Sequence, residues 1–407
     1  MAAFDHDRLD DAGALASADR AGMLRALADS GAQIRRGLTL AGENPALRSG
    51  RLERPRAVVV AAMGADDLVA DVLATLAAGR SPVPVWPTHD LPLPGWVGSL
   101  DVVVAVSLSG RAGGPMRLAH EAARRGAALV GIGAADSPLA HVTASARGVF
   151  LPVTAPHAAS RAAAWALLTP ALLAMSAAGV LPMAADELEA AADRLDAVAE
   201  ASRPTSESFV SPAKSLAVEF ADRLPLVLGD GPLAGVAARR AGTMLARTAR
   251  VPALTGVLPD AAASILACLD GPYAAPRAAS GGRDIFADPE LEEQRTEAGL
   301  LMVRDADPRT DPDLHLGGLD LAPIQPDHGL DLSAAEISRI NLAQGVSDLA
   351  EARGARVRSL TPAPGPDLAR LAELVATLDF SATYLALGHG YDPAHAPAVA
   401  ELRDLLT

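Results

Sequence analysis

Asp101-Val102-Val103-Val104-Ala105-Val106-Ser107-Leu108-Ser109-Gly110 is the stretch on which the fold turns. Its unbroken apolar run, with no polar alternation, fits a strand covered on both faces, as in a parallel sheet. Two serines spaced by two residues and a glycine follow. A helical pattern then runs from about Gly114 to Arg125 and closes on Gly126 as a C-cap. Upstream, the run from Ala57 to Ala62 ends in Met63-Gly64. A helix from Asp66 to Ala78 follows, with Leu68, Val72, Leu73 and Leu76 on one face. Pro82-Val83-Pro84-Val85 reads as a short edge strand, because proline cannot donate to a ladder. Downstream, Ala127 to Ile132 and Val149 to Val153 read as further strands. Strand and helix alternate throughout, which predicts a parallel α/β sheet covered on both faces.

The second half repeats this texture. From about Ser160 to Ala201 the spacing predicts two helices, split between Gly179 and Pro182. A helix opens near Pro212, and a strand from Leu224 to Leu228 leads into Gly229-Asp230-Gly231 and a helix from about Leu233 to Ala246. A strand from Leu300 to Val303 precedes a long helix from Ala334 to Ala352, with Ser333 and Glu336 at capping-box spacing. A strand from Ala355 to Leu360, a helix from Asp367 to Leu387 and a last helix opened by Asp392-Pro393 complete the chain. The expected fold class is α/β, with two tandem doubly wound lobes whose parallel sheets are flanked by helices. The expected segments are N-terminal helices over 1–54, a first lobe over 55–158, connecting helices over 159–210, and a second lobe with C-terminal helices over 211–407. Residues 271–297 stand apart. Gly281-Gly282, prolines and the acids from Asp284 to Glu293 read as a long mobile acidic loop, either a solvated excursion or a functional one.

Composition narrows the function classes. The chain has 407 residues, with 35 basic against 49 acidic side chains and a formal charge of −14, which excludes a general phosphate-backbone binder and so a nucleic-acid partner. A single cysteine, Cys268, excludes a disulfide framework and a cysteine zinc cluster and fits a reducing, cytoplasmic location. Met1 is followed by Asp5, Asp7 and Asp10 rather than by a basic and then an apolar region, so no signal peptide is expected. The stretch from Ala162 to Leu181 approaches the length of a membrane span, but Thr169, Pro170, Ser176 and Gly179 interrupt it. It reads as a core helix, and no membrane partner is expected. Lys214 is the only lysine and alanine dominates the apolar residues, a mark of GC-rich codons that builds cores from small side chains.

In an open α/β sheet, ligands sit beyond the carboxyl ends of the strands. A helix N-terminus there offers unpaired N–H groups to a phosphate. Ser107, Ser109 and Gly110 therefore read either as a phosphate cradle or as an ordinary strand-to-helix turn whose serines cap the helix. Gly229-Asp230-Gly231 with Gly235 gives G-x-G-x-x-x-G, a possible dinucleotide fingerprint. Its spacing departs from the usual one, and Arg247 and Arg250 stand where an acidic residue is expected. Gly131-x-Gly133 lacks a third glycine.

The segment from Val102 to Ile132 resembles the SIS, or sugar isomerase, domain, in which a strand leads into Ser-x-Ser-Gly-Asn-Thr and a helix. Three further segments resemble the bifunctional phosphoglucose/phosphomannose isomerase family. They are His89-Asp90-Leu91-Pro92, then Pro212-Ala213-Lys214-Ser215-Leu216-Ala217 followed by Leu224-Pro225-Leu226-Val227, and finally Tyr384-Leu385-Ala386-Leu387 followed by Gly390-Tyr391-Asp392-Pro393. They occur in the family's order from about Pro55 to the C-terminus. The resemblance implies two SIS lobes, a homodimer, a sugar-phosphate ligand, and neither a metal nor a cofactor. It places phosphate at Gly64, Ser107, Ser109, Gly110 and Arg111. It places Arg240, in the helix after the second-lobe glycine turn, at the developing negative charge of an enediolate.

The sequence also departs from the family. Gly64-Ala65-Asp66 replaces Gly-Gly-Ser, which puts a carboxylate where a serine binds phosphate. Arg111 and Ala112 replace Asn and Thr, and Arg111 is either a phosphate contact or a solvated helix-start arginine. The family's base glutamate has no counterpart in the run from Asp260 to Ile265, and Asp260 lies about four residues early. Asp305-Ala306-Asp307-Pro308 stands where the family has a histidine, and His315 lies farther along. Asp288 and Glu290 of the acidic loop are alternative carboxylates. Arg240 itself reads alternatively as one of several surface arginines, with Arg239, Arg247 and Arg250. Two functions follow: a sugar-phosphate isomerase interconverting glucose 6-phosphate or mannose 6-phosphate with fructose 6-phosphate, or a catalytically inactive SIS protein that binds a sugar phosphate.

Overall fold

The structure, a computed structural model, describes residues 4–48, 53–155, 160–274, 296–305 and 332–405. These residues form two compact units. One comprises Asp19–Arg203 and Pro366–Ala376; the other comprises Met1–Ala18, Pro204–Gly365 and Thr377–Thr407.

The first unit holds a parallel sheet of β1 (Val58–Ala62), β2 (Val85–Thr88), β3 (Val102–Ser107), β4 (Ala128–Gly133) and β5 (Val149–Pro152), in the order β2-β1-β3-β4-β5. The valine runs of β1 and β3 are buried along their whole length and pair in register, from Val58 opposite Val102 to Ala62 opposite Val106. On one face Val59, Val103 and Leu129 pack against Leu118 and Ala122 of the helix Gly113–Arg125 and against Leu139. That helix ends as its sequence predicts. Gly126, at φ +73°, lets the Ala127 N–H reach the Ala122 carbonyl at 3.0 Å. The prolines displace the edge strand from the expected position. Pro84 gives only its carbonyl, to the Val58 N–H at 2.9 Å, and the strand begins at Val85.

The second unit repeats the order with four strands, β6 (Arg223–Asp230), β7 (Leu254–Val257), β8 (Glu297–Arg304) and β9 (Arg356–Leu360), arranged β7-β6-β8-β9 and parallel. β6 therefore corresponds to β1, and β8 to β3. Leu226, Leu228, Leu300 and Met302 pack against Ile265, Val346 and Ala350. The strand β7 has no apolar run to announce it, being Leu-Thr-Gly-Val and largely half-buried. The last helix is Pro397–Leu405 rather than one opened by Asp392-Pro393. Asp392 instead accepts the Ala394 N–H at 2.9 Å, a local turn, and Pro397 takes the first helical position. Ser333 lies inside the helix Leu332–Ala352 instead of preceding it.

Lys214, wholly buried, anchors the N-terminal segment within this unit. Its ammonium has three N–H groups, and they meet the carbonyls of Leu9, Pro204 (2.8 Å) and Ser206 (2.6 Å). The nitrogen lies 5.2 Å from the centre of the Tyr384 ring. Burial pulls its pKa below that of a free amine, with Asp10 opposing the shift.

Among the described residues, one helix, Asp367–Gly388, is long and apolar enough to cross a membrane, and 94% of its apolar window is buried inside the fold. The sequence candidate around Ala162 is the shorter core helix Ala164–Ala177. In the long acidic loop, residues 275–295, including Asp288 and Glu290, lie outside the described residues, as do Asp307, Pro308 and His315.

Candidate functional site

The strand order of the first unit makes the carboxyl ends of β1 and β3 the topological switch point, where such sheets bind ligands. The sequence places Gly64 just after β1, and Ser107, Ser109, Gly110 and Arg111 at and just after β3. Pairing of the two strands brings these five residues to one end of the sheet. The Ser107 hydroxyl is buried and accepts the Ala112 N–H at 3.3 Å, at the residue that precedes the helix Gly113–Arg125. Ser109 is exposed and accepts the Arg111 N–H at 3.2 Å; Arg111 is exposed. Gly110 sits at φ +62°, and a Cβ there would lie 2.1 Å from the Ser137 hydroxyl, so packing demands this glycine. Gly64, at φ +74°, faces open space.

Asp66 enters this turn from the β1 side. It is buried, and its carboxylate accepts the Leu108 N–H at 3.4 Å. A phosphate brought to the same amides would meet this negative charge, and Arg111 is an exposed cation of the same turn.

The corresponding end of the second sheet is built differently. After β6, Gly231 adopts φ +115°, and Pro232 opens the helix Pro232–Met244. Asp305, just beyond β8, accepts the N–H groups of Leu233 (3.2 Å) and Ala234. This carboxylate caps the helix from a neighbouring strand, and a Cβ at Gly231 would lie 2.4 Å from it. Gly229 lies where a Cβ would strike the backbone of Ala234 and Gly235, and Gly235 packs on Val257. Packing thus accounts for all three glycines of the G-x-G-x-x-x-G run. The amides that a dinucleotide's pyrophosphate would use are held by Asp305.

Arg240 lies within that second-unit helix and is 3% exposed, so it is not a surface arginine. Its guanidinium forks onto Asp379, with Nε to Oδ1 at 2.9 Å and NH2 to Oδ2 at 2.8 Å. Removing one partner of such a buried pair costs about 3–5 kcal/mol. Of the run aligned with the family's base, Asp260 lies in the turn before the helix Ala262–Cys268, and that helix carries neither a carboxylate nor a histidine. Among the described residues, no group of three or more histidine, cysteine or acidic side chains is placed to hold a metal ion. Sequence reasoning missed Asp305 and Asp379 as the partners of the second-lobe turn and of Arg240. Gly231-Pro232, a glycine before a helix start with no capping side chain of its own, was the available signal for Asp305.

Residues 209–314 and 334–406 match the family of bacterial phospho-glucose isomerase C-terminal SIS domains. No curated protein matches the chain in sequence. Solved structures share the fold at low identity. A protein of Silicibacter pomeroyi DSS-3 assigned as a phosphosugar isomerase is 19% identical, with a TM-score of 0.57 over 91% of this chain and 99% of that one. The tagatose-6-phosphate ketose/aldose isomerase of Escherichia coli is 14% identical, with a TM-score of 0.55 over 94% and 95%. The C-terminal domain of the glucosamine-fructose-6-phosphate aminotransferase of Francisella tularensis is 12% identical, with a TM-score of 0.57 over 91% and 97%. The second lobe matches the bacterial phospho-glucose isomerase C-terminal SIS domain family, and the chain shares its two-lobed α/β fold with these solved structures.

Proposed function

We propose that the protein binds a sugar phosphate at the carboxyl ends of β1 and β3 and does not isomerise it by the family's carboxylate-base route. The observation that carries this reading is the closure of Arg240 on Asp379. Aldose–ketose interconversion passes through an enediolate, which needs a base for the carbon-bound proton and a cation for the developing charge. Here the cation that the resemblance nominates is already neutralised by a buried carboxylate. Proton transfer has lost its electrostatic partner, whereas anion binding in the first lobe keeps the exposed Ser109 hydroxyl, Arg111 and the turn made by Gly64 and Gly110.

A second reading, interconversion of glucose 6-phosphate or mannose 6-phosphate with fructose 6-phosphate, is favoured by the match of the second lobe to the phosphoglucose isomerase family. It requires Arg240 to exchange Asp379 for substrate. The family resemblance supports a homodimer, and the single cysteine supports a cytoplasmic location. Titration calorimetry with fructose 6-phosphate separates the binding site from an ordinary turn. The wild-type protein binds, and Ser109→Ala binds about threefold to tenfold more weakly, the worth of one hydrogen bond. Equal binding by the two proteins would remove the phosphate from this turn.

A further inference from the structure

The second unit carries a cleft of about 620 Å³ at the opposite, amino-terminal end of its sheet. Its walls are the segments that lead into three strands: Asp222 to Leu224 at β6, Val251 and Pro252 before β7, and Thr296 before β8. Tyr273 and His389 close the sides. The size falls within the roughly 300–1,000 Å³ of small-molecule sites.

Two arginines give the cleft its charge. Arg223 donates to the Glu219 carbonyl at 2.9 Å. Arg250 donates to the carbonyls of Asp392 and His395 and lies 4.5 Å over the Tyr391 ring. Carbonyl oxygens and a ring face orient a guanidinium without neutralising it. The protein's other arginines commonly sit on carboxylates, as Arg35, Arg56, Arg80, Arg194 and Arg240 do. Neither Arg223 nor Arg250 forms an ion pair with a described carboxylate, and the acidic group on the wall is the exposed Asp222. Two such cations on one concave surface are a marked local excess in a chain of charge −14.

The backbone around Arg250 is irregular as well. A π turn over Leu245–Ala249 precedes it, and Arg250 itself is left-handed at φ +61°, ψ +27°. Both features cost conformational energy in a non-glycine residue and concentrate at binding sites. An aromatic stack supports the result. Phe4 packs edge-on to His389 at 5.2 Å, His389 stacks on Tyr391 at 5.9 Å, and Tyr391 underlies Arg250. The guanidinium is held in place before any ligand arrives.

We infer that this cleft is a second ligand site, separate from the first-lobe turn. Its ligand is a small organic anion whose carboxylate or phosphate is held by Arg223 and Arg250 and whose remainder lies against Tyr273 and Pro252. The test uses the full-length Ser109→Ala protein, titrated calorimetrically with inorganic phosphate and, separately, with citrate. Saturable binding of at least one probe is expected, with the same affinity for that site as in the wild type. Arg223→Gln or Arg250→Gln, each added to Ser109→Ala, weakens it about tenfold, the loss of a charge-assisted contact. Arg223 is half-buried at the start of β6 and has ordinary strand geometry, so Arg223→Gln keeps the test valid if Arg250→Gln disturbs the fold. Absence of saturable binding at millimolar probe, or binding that neither substitution weakens, would overturn the assignment. Failure of the first-lobe site is distinguishable, because it shows as fructose 6-phosphate binding that Ser109→Ala leaves unchanged, whereas failure of this cleft shows as probe binding that neither arginine substitution weakens.

Discussion

The carboxyl ends of the two sheets are bridged by carboxylates that run in opposite directions. In the first unit Asp66, after β1, reaches an amide after β3; in the second, Asp305, after β8, reaches two amides after β6. Since β6 corresponds to β1 and β8 to β3, the same crevice is tied from one bank in one lobe and from the other bank in the other. The consequences differ. Asp66 accepts the Leu108 N–H at 3.4 Å, and Ser109 and Arg111 are exposed. Asp305 completes the cap of a helix, where the partial positive charge of the N-terminus is concentrated. A helix N-terminus that the chain supplies with its own anion offers little to a ligand. On the proposed reading, ligand binding at the carboxyl ends falls to the first lobe and a structural role to the second.

The largest effect is expected at the glycines of the two turns. Gly231→Ala puts a Cβ against Asp305 at a backbone angle that favours glycine, and should cost about 2–4 kcal/mol. Gly64→Ala meets no atom within 4 Å and should cost about 1 kcal/mol, the left-handed strain alone. Denaturant unfolding of both variants checks the order, and equal losses would remove the contrast between the turns. Next in size, Asp305→Ala deletes the cap and should lower stability by about 1–2 kcal/mol while leaving fructose 6-phosphate affinity unchanged. A drop in that affinity would place the second-lobe turn in the binding site. Asp66→Ser removes a carboxylate from beside the phosphate and should tighten fructose 6-phosphate by about fivefold, a gain of about 1 kcal/mol. Weaker binding by that variant would make Asp66 a working ligand contact. Ser109→Ala, at about threefold to tenfold weaker, is of similar size and opposite sign.

Much of the architecture was readable because buried parallel strands carry their own signature. The runs around Val58, Val102 and Leu226 are apolar without alternation, and each meets a glycine-containing turn. Elements lacking that signature were harder. β7 is short and half-buried, and the edge strand begins later than its proline-rich text suggests. Asp392-Pro393 carries the chemistry of a helix start, but the aspartate spends it on a turn. The candidate site was readable in its local part, since Ser107 and Ser109 lie within one turn. Its long-range part was hidden. Asp305 is 71 residues from the Ala234 amide it binds, and Asp379 is 139 residues from Arg240. No local periodicity reports such pairings, and they decide whether a helix N-terminus or a guanidinium is available to a ligand.

Proton NMR of fructose 6-phosphate with the purified protein in heavy water tests binding and proton transfer together. The account predicts broadened sugar-phosphate resonances, no deuterium at the carbon beside the carbonyl, and no glucose or mannose 6-phosphate. Deuterium incorporation at that carbon, or either product, would contradict it and show that Arg240 leaves Asp379 for the substrate.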